Sequence, residues 1–289
     1  MASAELRQIR RRIRSVESTM KITRAMELIA TSRIAKARVR VEESKPYIEK
    51  MAEVIRNIAA AGGLRHPLLE RREIATSGVV VVTSDRGLAG GYNSNVIRMA
   101  ERSMIAHRLN EQPIRLYVVG NKALSYFRYR KYPIEQSFLG VTDTPGYADA
   151  RAIANTLLNE YEEGAVDAVE VYTTRYVSAL TQTPLRWPLL PIEPPDAESA
   201  GGVSYSFEPS PEEILSRLLP RYLEGTIFGI LLEASASEHA ARRRAMKAAT
   251  ENAEELTLVL TREANQARQA EITTEISEIV GGAEALSGG

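Results

Sequence analysis

The run Ser84-Asp85-Arg86-Gly87-Leu88-Ala89-Gly90-Gly91-Tyr92-Asn93 has the strongest claim to chemistry in this sequence. It lies between a strand-like and a helix-like stretch, where an α/β sheet places a phosphate cradle. It matches neither G-x-G-x-x-G nor G-x-x-x-x-G-K-[ST], and no Lys follows to reach a phosphate. The other reading is a tight turn whose glycines permit positive φ and close packing. Asp143-Thr144-Pro145-Gly146 and Asn121-Lys122 invite a GTP-binding reading, but their order is reversed, the Asp after Asn-Lys is missing, and there is no P-loop. They read as a turn and a helix start. His66, His107 and His239 have no ligand spacing around them, and no G-x-S-x-G occurs. The sequence therefore offers no catalytic constellation, no metal site and no cofactor motif, which counts against an enzyme acting alone.

The elements around these residues alternate. Val79-Val80-Val81-Val82-Thr83 is a β-branched run of the kind buried on both faces of a sheet. Asn93-Ser94-Asn95 can cap a helix to about Leu109. Ile114 to Val119 reads as a strand, Asn121 to about Lys131 as a helix, and Ile134 to Leu139 as a third strand. Tyr147 to Glu163 is a helix, and Ala168 to Tyr176 an alternating strand. This order predicts an α/β sheet with parallel neighbours. Leu185 to Leu190 and Val203 to Phe207 are expected to form a closing pair around the mobile loop Pro191 to Gly202.

The ends of the chain follow another rule. Read in sevens, position a runs Leu6, Ile13, Met20, Glu27, Ile34, Val41, Ile48, Ile55, and position d runs Ile9, Val16, Thr23, Ala30, Ala37, Ser44, Met51, Ile58. Thirteen of these sixteen are apolar, a repeat that predicts a coiled-coil seam along one helix. About 57 residues at roughly 1.5 Å each make a rod on the order of 85 Å long, ending at Gly62-Gly63. A second rod opens at Ser210-Pro211-Glu212-Glu213, an N-cap, a proline at the first helical position and acids on the dipole. Its seam runs Phe228, Leu232, Met246, Ala249, Ala253, Leu256 and Leu260, broken by Ser235, His239 and Arg242, with Gly281-Gly282 as the expected stop. The expected architecture is α/β plus a long coiled coil: an antiparallel two-helix coiled coil from the N- and C-terminal helices, with a central Rossmann-like α/β domain. The expected boundaries are 1–62, 75–208 and 210–286.

Formal charge is zero overall, yet residues 1–60 carry fourteen Lys/Arg against seven Asp/Glu, and beyond Arg262 one Arg faces five Glu. A nucleic-acid binder would be basic throughout, so no nucleic-acid partner is expected. The basic runs Arg10-Arg11-Arg12 with Arg14, and Arg242-Arg243-Arg244, are either solvated flanks or a track for an acidic partner. With no cysteine, disulfides and thiolate metal sites are out, which suits a reducing compartment. No apolar run reaches the roughly 18 residues of a membrane span, and the start MASAELRQIRRRIR carries no secretion signal.

Four segments carry a family resemblance: IRSVESTMKITRAMELIA from Ile13, SDRGLAGGYNSN from Ser84, SEHAARRRAMKAATENAEEL from Ser237 and NQARQAEITTEISEIVGGAEAL from Asn265. In order and spacing they resemble the γ subunit of bacterial-type F-type ATP synthases, over the whole chain. The resemblance implies a central rotor shaft that turns inside the α3β3 head and stands on the c-ring beside the ε subunit. Ion-driven rotation of that ring is coupled to the catalytic sites, and the ATP chemistry belongs to the α and β subunits. It implies no cofactor. It also implies a peripheral protein at the cytoplasmic face of the bacterial inner membrane. Carried over by position, Met26 is the shaft methionine, Arg242 the arginine lying against it, and Arg268, Gln269, Thr273 and Glu275 the patch that meets the β subunit. Ala89 stands where many members carry Cys, and Ala264 where Tyr is usual. The absence of cysteine removes the thiol control of chloroplast-type members. The runner-up reading is a nucleotide- or phosphate-binding α/β enzyme with helical oligomerisation arms, and a third is a plain coiled-coil scaffold.

Two expectations follow for the rods. If Met26 and Arg242 are level, Ile13 meets Leu256, Met20 meets Ala249 and Val41 meets Phe228, and the seam misfits Glu27 and Arg242 pair with each other. Beyond Asn265 the second rod then has no partner for about 20 residues. Yet Ile272, Ile276, Ile279, Val280 and Ala283 form an apolar stripe there, which predicts a socket on another protein. The segment is expected to fray in the free chain.

Overall fold

The computed structural model describes residues 2–60, 66–193 and 210–287. Two helices dominate it, α1 at Ala2–Ala60 and α5 at Pro211–Ser287. Between them come a 3-10 turn at Pro67–Leu69, then β1 Ser77–Val82, α2 Tyr92–Leu109, β2 Ile114–Val119, α3 Asn121–Tyr129, β3 Gln136–Phe138, α4 Tyr147–Glu162, β4 Ala168–Tyr176 and β5 Gln182–Leu190. By contact density the chain divides into two compact units: residues 30–242, and residues 1–29 with 243–289.

In the larger unit the sheet order is β3-β2-β1-β4-β5. β1 pairs in parallel with β2 and β4, and β2 with β3, while β5 returns antiparallel on β4. The expected partner of β5, Val203 to Phe207, lies outside the described residues, as does most of the Pro191 to Gly202 loop. β4 supplies the pairing instead, as a hairpin across residues 177–181. Successive side chains of a strand point to opposite faces, so the valines of β1 divide. Val79 and Val81 join Leu116, Val118 and Phe127 beneath α2 and α3. Val80 and Val82 join Tyr117, Leu157 and Tyr161 beneath α4, and Leu219, Leu223 and Leu231 of α5 complete that face. With both faces covered, β4 is buried over seven consecutive residues despite its alternating sequence.

Within this unit α1 and α5 run antiparallel. A Cβ added to Gly225 would come 3.2 Å from Met51 Cε, and one added to Gly229 would come 3.0 Å from Ile48 Cδ1. The two glycines open the groove that α1 fills, while Ala37, Val41, Leu232 and Ala236 continue the contact as one apolar cluster. In the smaller unit Thr23 Oγ1 lies 2.7 Å from Thr250 Oγ1, more than a turn beyond the expected register. The pairings of Ile13 with Leu256 and Met20 with Ala249 are therefore corrected. Leu256 is 40% exposed, whereas Thr250, Ala253 and Leu260 are buried. The register is set where the buried hydroxyls of Thr23 and Thr250 meet, a polar contact that an apolar repeat does not reveal.

Ser210 caps α5 as expected, its Oγ accepting from Glu213 N–H. At the other end Gly281 and Gly282 do not stop the helix, which continues to Ser287. The glycines weaken the helix without ending it. Asn93 does not cap α2 either. Its side-chain oxygen turns back to accept from Ser84 N–H at 2.9 Å and Ser84 Oγ at 3.0 Å, and Gly91 is the N-cap.

Candidate functional site

In a sheet of this order, ligands bind at the carboxyl ends of the parallel strands, near the point where strand order reverses. Here that point lies between β1 and β4, and the glycine-rich turn after β1 sits on it. The turn does not cradle an anion. Asp85 N–H donates to Thr142 Oγ1, and the Asp85 carboxylate accepts from Asn121 N–H and from Thr142 N–H and Oγ1. Lys122 N–H donates to Ser84 O. The donors that would hold a phosphate are spent on tying three loops together, and Asp85 adds a negative charge where the ligand would need a positive one.

The C-terminal helix fills the remaining space. Every residue from 234 to 242 is buried, although this stretch includes Ser235, Ser237, Glu238, His239 and Arg242. Ser235, Ser237, His239 and Arg242 donate to backbone carbonyls at this edge of the sheet. Ser235 Oγ reaches Asp143 O at 3.0 Å, Ser237 Oγ reaches Thr174 O at 3.3 Å, and Arg242 Nη2 reaches Gly87 O at 3.2 Å. Tyr92 answers from the sheet side, its hydroxyl donating to Ala234 O, while Ala89, Tyr92 and Ala241 pack together. From α1, Arg33 ion-pairs with Asp143 and Arg40 donates to Pro145 O. Both long helices are thus fastened to the loops of the sheet edge.

The charges in this grip are buried and mutually arranged. Arg242 pairs with Glu238 four residues earlier, with 9% and 1% of their side chains exposed. That pairing answers the charge of Arg242 within its own helix. Burial raises the Glu238 pKa, outweighing the attraction of Arg242. Burial also pushes Asp143 upward, but the hydrogen bond and charge of Arg33, with the charge of Arg86, outweigh it and hold the carboxyl low. For His239 burial is the largest influence and lowers its pKa against the pull of Asp143, so the ring is neutral at neutral pH. Its Nδ1 lies 3.5 Å from Arg242 Nη1, which can only donate, so the proton is on Nε2, 3.3 Å from Asp143 O.

The residues expected to meet a partner lie elsewhere, apart from Arg242. Met26 is half-buried on α1. Arg268, Gln269, Thr273 and Glu275 are exposed together on α5, where Thr273 Oγ1 donates to Gln269 O. Among and after them Ile272, Ile276, Ile279 and Val280 are 45%, 56%, 72% and 53% exposed. Sequence reasoning missed Arg33, Asp143 and Glu238 and took Ser235, His239 and Arg242 for interruptions. The available signal was their spacing, four and three residues apart, which lays them along one helical face. Among the described residues no group of His, Asp and Glu could hold a metal, and no helix is long and apolar enough to cross a membrane.

Comparison with known proteins agrees with this geometry. The sequence matches the ATP synthase family over residues 5–286. The ATP synthase gamma chain of Parafrankia sp. is 50% identical over 297 residues, covering 99% of each chain. That of Mycolicibacterium smegmatis is 47% identical over 304 residues, again covering 99% of each. Among solved structures, a chain of the Euglena gracilis mitochondrial ATP synthase OSCP/F1/c-ring assembly shares the fold at a TM-score of 0.73 with 17% identity. The match covers 98% of this chain and 95% of that one.

Proposed function

The chain belongs to the γ-subunit family of F-type ATP synthases, and on that premise we propose that it is the central rotor shaft of the bacterial complex. It stands on the c-ring beside the ε subunit, at the cytoplasmic face of the membrane, and turns inside the α3β3 head. It carries proton-driven rotation to catalytic sites that belong to other subunits. One observation supports this best: the edge where an α/β protein keeps its ligand is used to hold two long helices. A sheet that spends its site on a grip has mechanical work to do, and no catalytic site of its own is proposed.

Met26, Arg268, Gln269, Thr273 and Glu275 are the proposed contacts with the head, and the exposed stripe from Ile272 to Val280 is the part that needs its socket. Arg242 serves the head indirectly, from inside the grip. Glu27, half-buried on the α1 seam, is proposed to pair with Arg242. Co-expression with α and β subunits tests the reading. ATPase activity is expected only when all three chains are present, and turnover of ATP by the isolated chain would overturn it.

A further inference from the structure

Asp143 is held from two sides. Its carboxylate takes Arg33 of α1, and its carbonyl takes Ser235 Oγ and His239 Nε2 of α5. Across the imidazole, Arg242 approaches Nδ1 while its Nε and Nη2 both donate to Gly87 O. The ring therefore bridges two loops of the sheet edge, the Asp143 loop directly and the glycine-rich turn through Arg242. The bridge needs a neutral ring, because one nitrogen must donate to a carbonyl and the other must accept from a guanidinium that has only donors. A second proton would sit on Nδ1 and set imidazolium against guanidinium at a residue only 2% exposed.

We propose that His239 is a positioning residue of the rotor: its neutral ring fastens the sheet-edge loops to the C-terminal helix, and its protonation loosens them, so that coupling weakens in mild acid. The coupling half of this rests on the rotor reading above. The charged groups facing the ring are Arg33 from α1, Asp143 from the loop after β3, and Arg242 with its partner Glu238 on α5, while Arg86 and Asp85 of the turn act on Asp143 and Glu238. With the loops fastened the ring binds a proton less readily than its ordinary value near 6.5, and with them open it returns to that value. The contribution of His239 is thus complete above about pH 6.5 and falls below it, by up to about tenfold in the closing equilibrium by pH 5.5. Glu238, with its raised pKa, acts in the opposite sense, and Asp143, held low, stays charged in this window.

Glutamine at 239 separates these effects. Its amide can donate to Asp143 O and accept from Arg242, and it does not titrate. Hydrogen-exchange protection of residues 84–91 and 142–146 is measured in the full chain at pH 7.5 and 5.5, corrected for intrinsic rates, for the natural protein and for His239→Gln. The natural protein is expected to lose up to about tenfold protection relative to the variant. Equal pH responses in the two proteins would overturn the proposal. In the assembled complex, protons pumped per ATP are then expected to fall over the same interval for the natural chain and to stay level for His239→Gln. A level ratio in both would overturn the positioning role even if the loops open. Failure of ATPase activity to appear with α and β would count against the rotor reading, and the exchange result would still decide whether His239 fastens the loops.

Discussion

A guanidinium inside a protein needs its charge answered and its donors used. Arg242 has Glu238 for the first requirement and Gly87 O for the second. Removing it leaves a carboxylate with 1% of its side chain exposed and no counter-ion, and a carbonyl without its donors. Arg242→Ala is expected to lower unfolding stability by about 3–5 kcal/mol in denaturant titration. Replacing the pair together, Glu238→Gln with Arg242→Met, removes both charges and should recover more than half of that loss. Equal losses in the two variants would mean that the burden lies on the Gly87 contact and not on the ion pair.

At the scale of elements, α1 and α5 obey different constraints. All sixteen seam positions of α1 are buried or half-buried, while Ile22, Leu28, Ile29 and Val39 off the seam are exposed. α5 has a seam facing α1 and, from 234 to 242, burial on all sides, because loops of the sheet close over its outer face. Those loops depend on a close approach. Gly120 has φ +92°, and a Cβ there would lie 2.3 Å from Thr83 O. Gly120→Ala forces apart the ends of β1 and β2 that carry Ser84, Asp85 and Asn121. A loss of roughly 2–6 kcal/mol is expected, from strain and overpacking combined. Calorimetry of the variant checks it, and a melting temperature within a degree or two of the natural protein would contradict it.

For the whole molecule, the tail of α5 and the sheet belong to different compact units and have different needs. Ile272 to Val280 expose an apolar stripe that gains nothing in water. A chain ending at Asn265 should therefore keep the thermal transition of its sheet within about a degree while assembling poorly with α and β, as read by size-exclusion chromatography and by ATPase yield. Amide exchange across Ile272 to Val280 should be fast in the free chain and slow in the complex. Slow exchange in both would show that the stripe has no need of a socket.

The sequence alone determined the seam of α1, because a 3.5-residue period on a helix without interior glycine has one way to bury its apolar side chains. It determined the order of strands and helices, since β-branched runs and caps are local signals, and it identified the family from four motifs. It did not determine the register between the rods, which Thr23 and Thr250 fix through contact across 227 residues. Nor did it separate a phosphate cradle from a tied turn. The glycines of Ser84 to Gly91 permit both, and the choice rests on Thr142, Asn121 and Arg242, all distant in sequence. Ser235, His239 and Arg242 look like faults in a two-helix seam because a seam counts only two partners. The tertiary structure supplies a third, the carbonyls of the sheet edge, and a polar side chain is stable in the interior where such acceptors meet it.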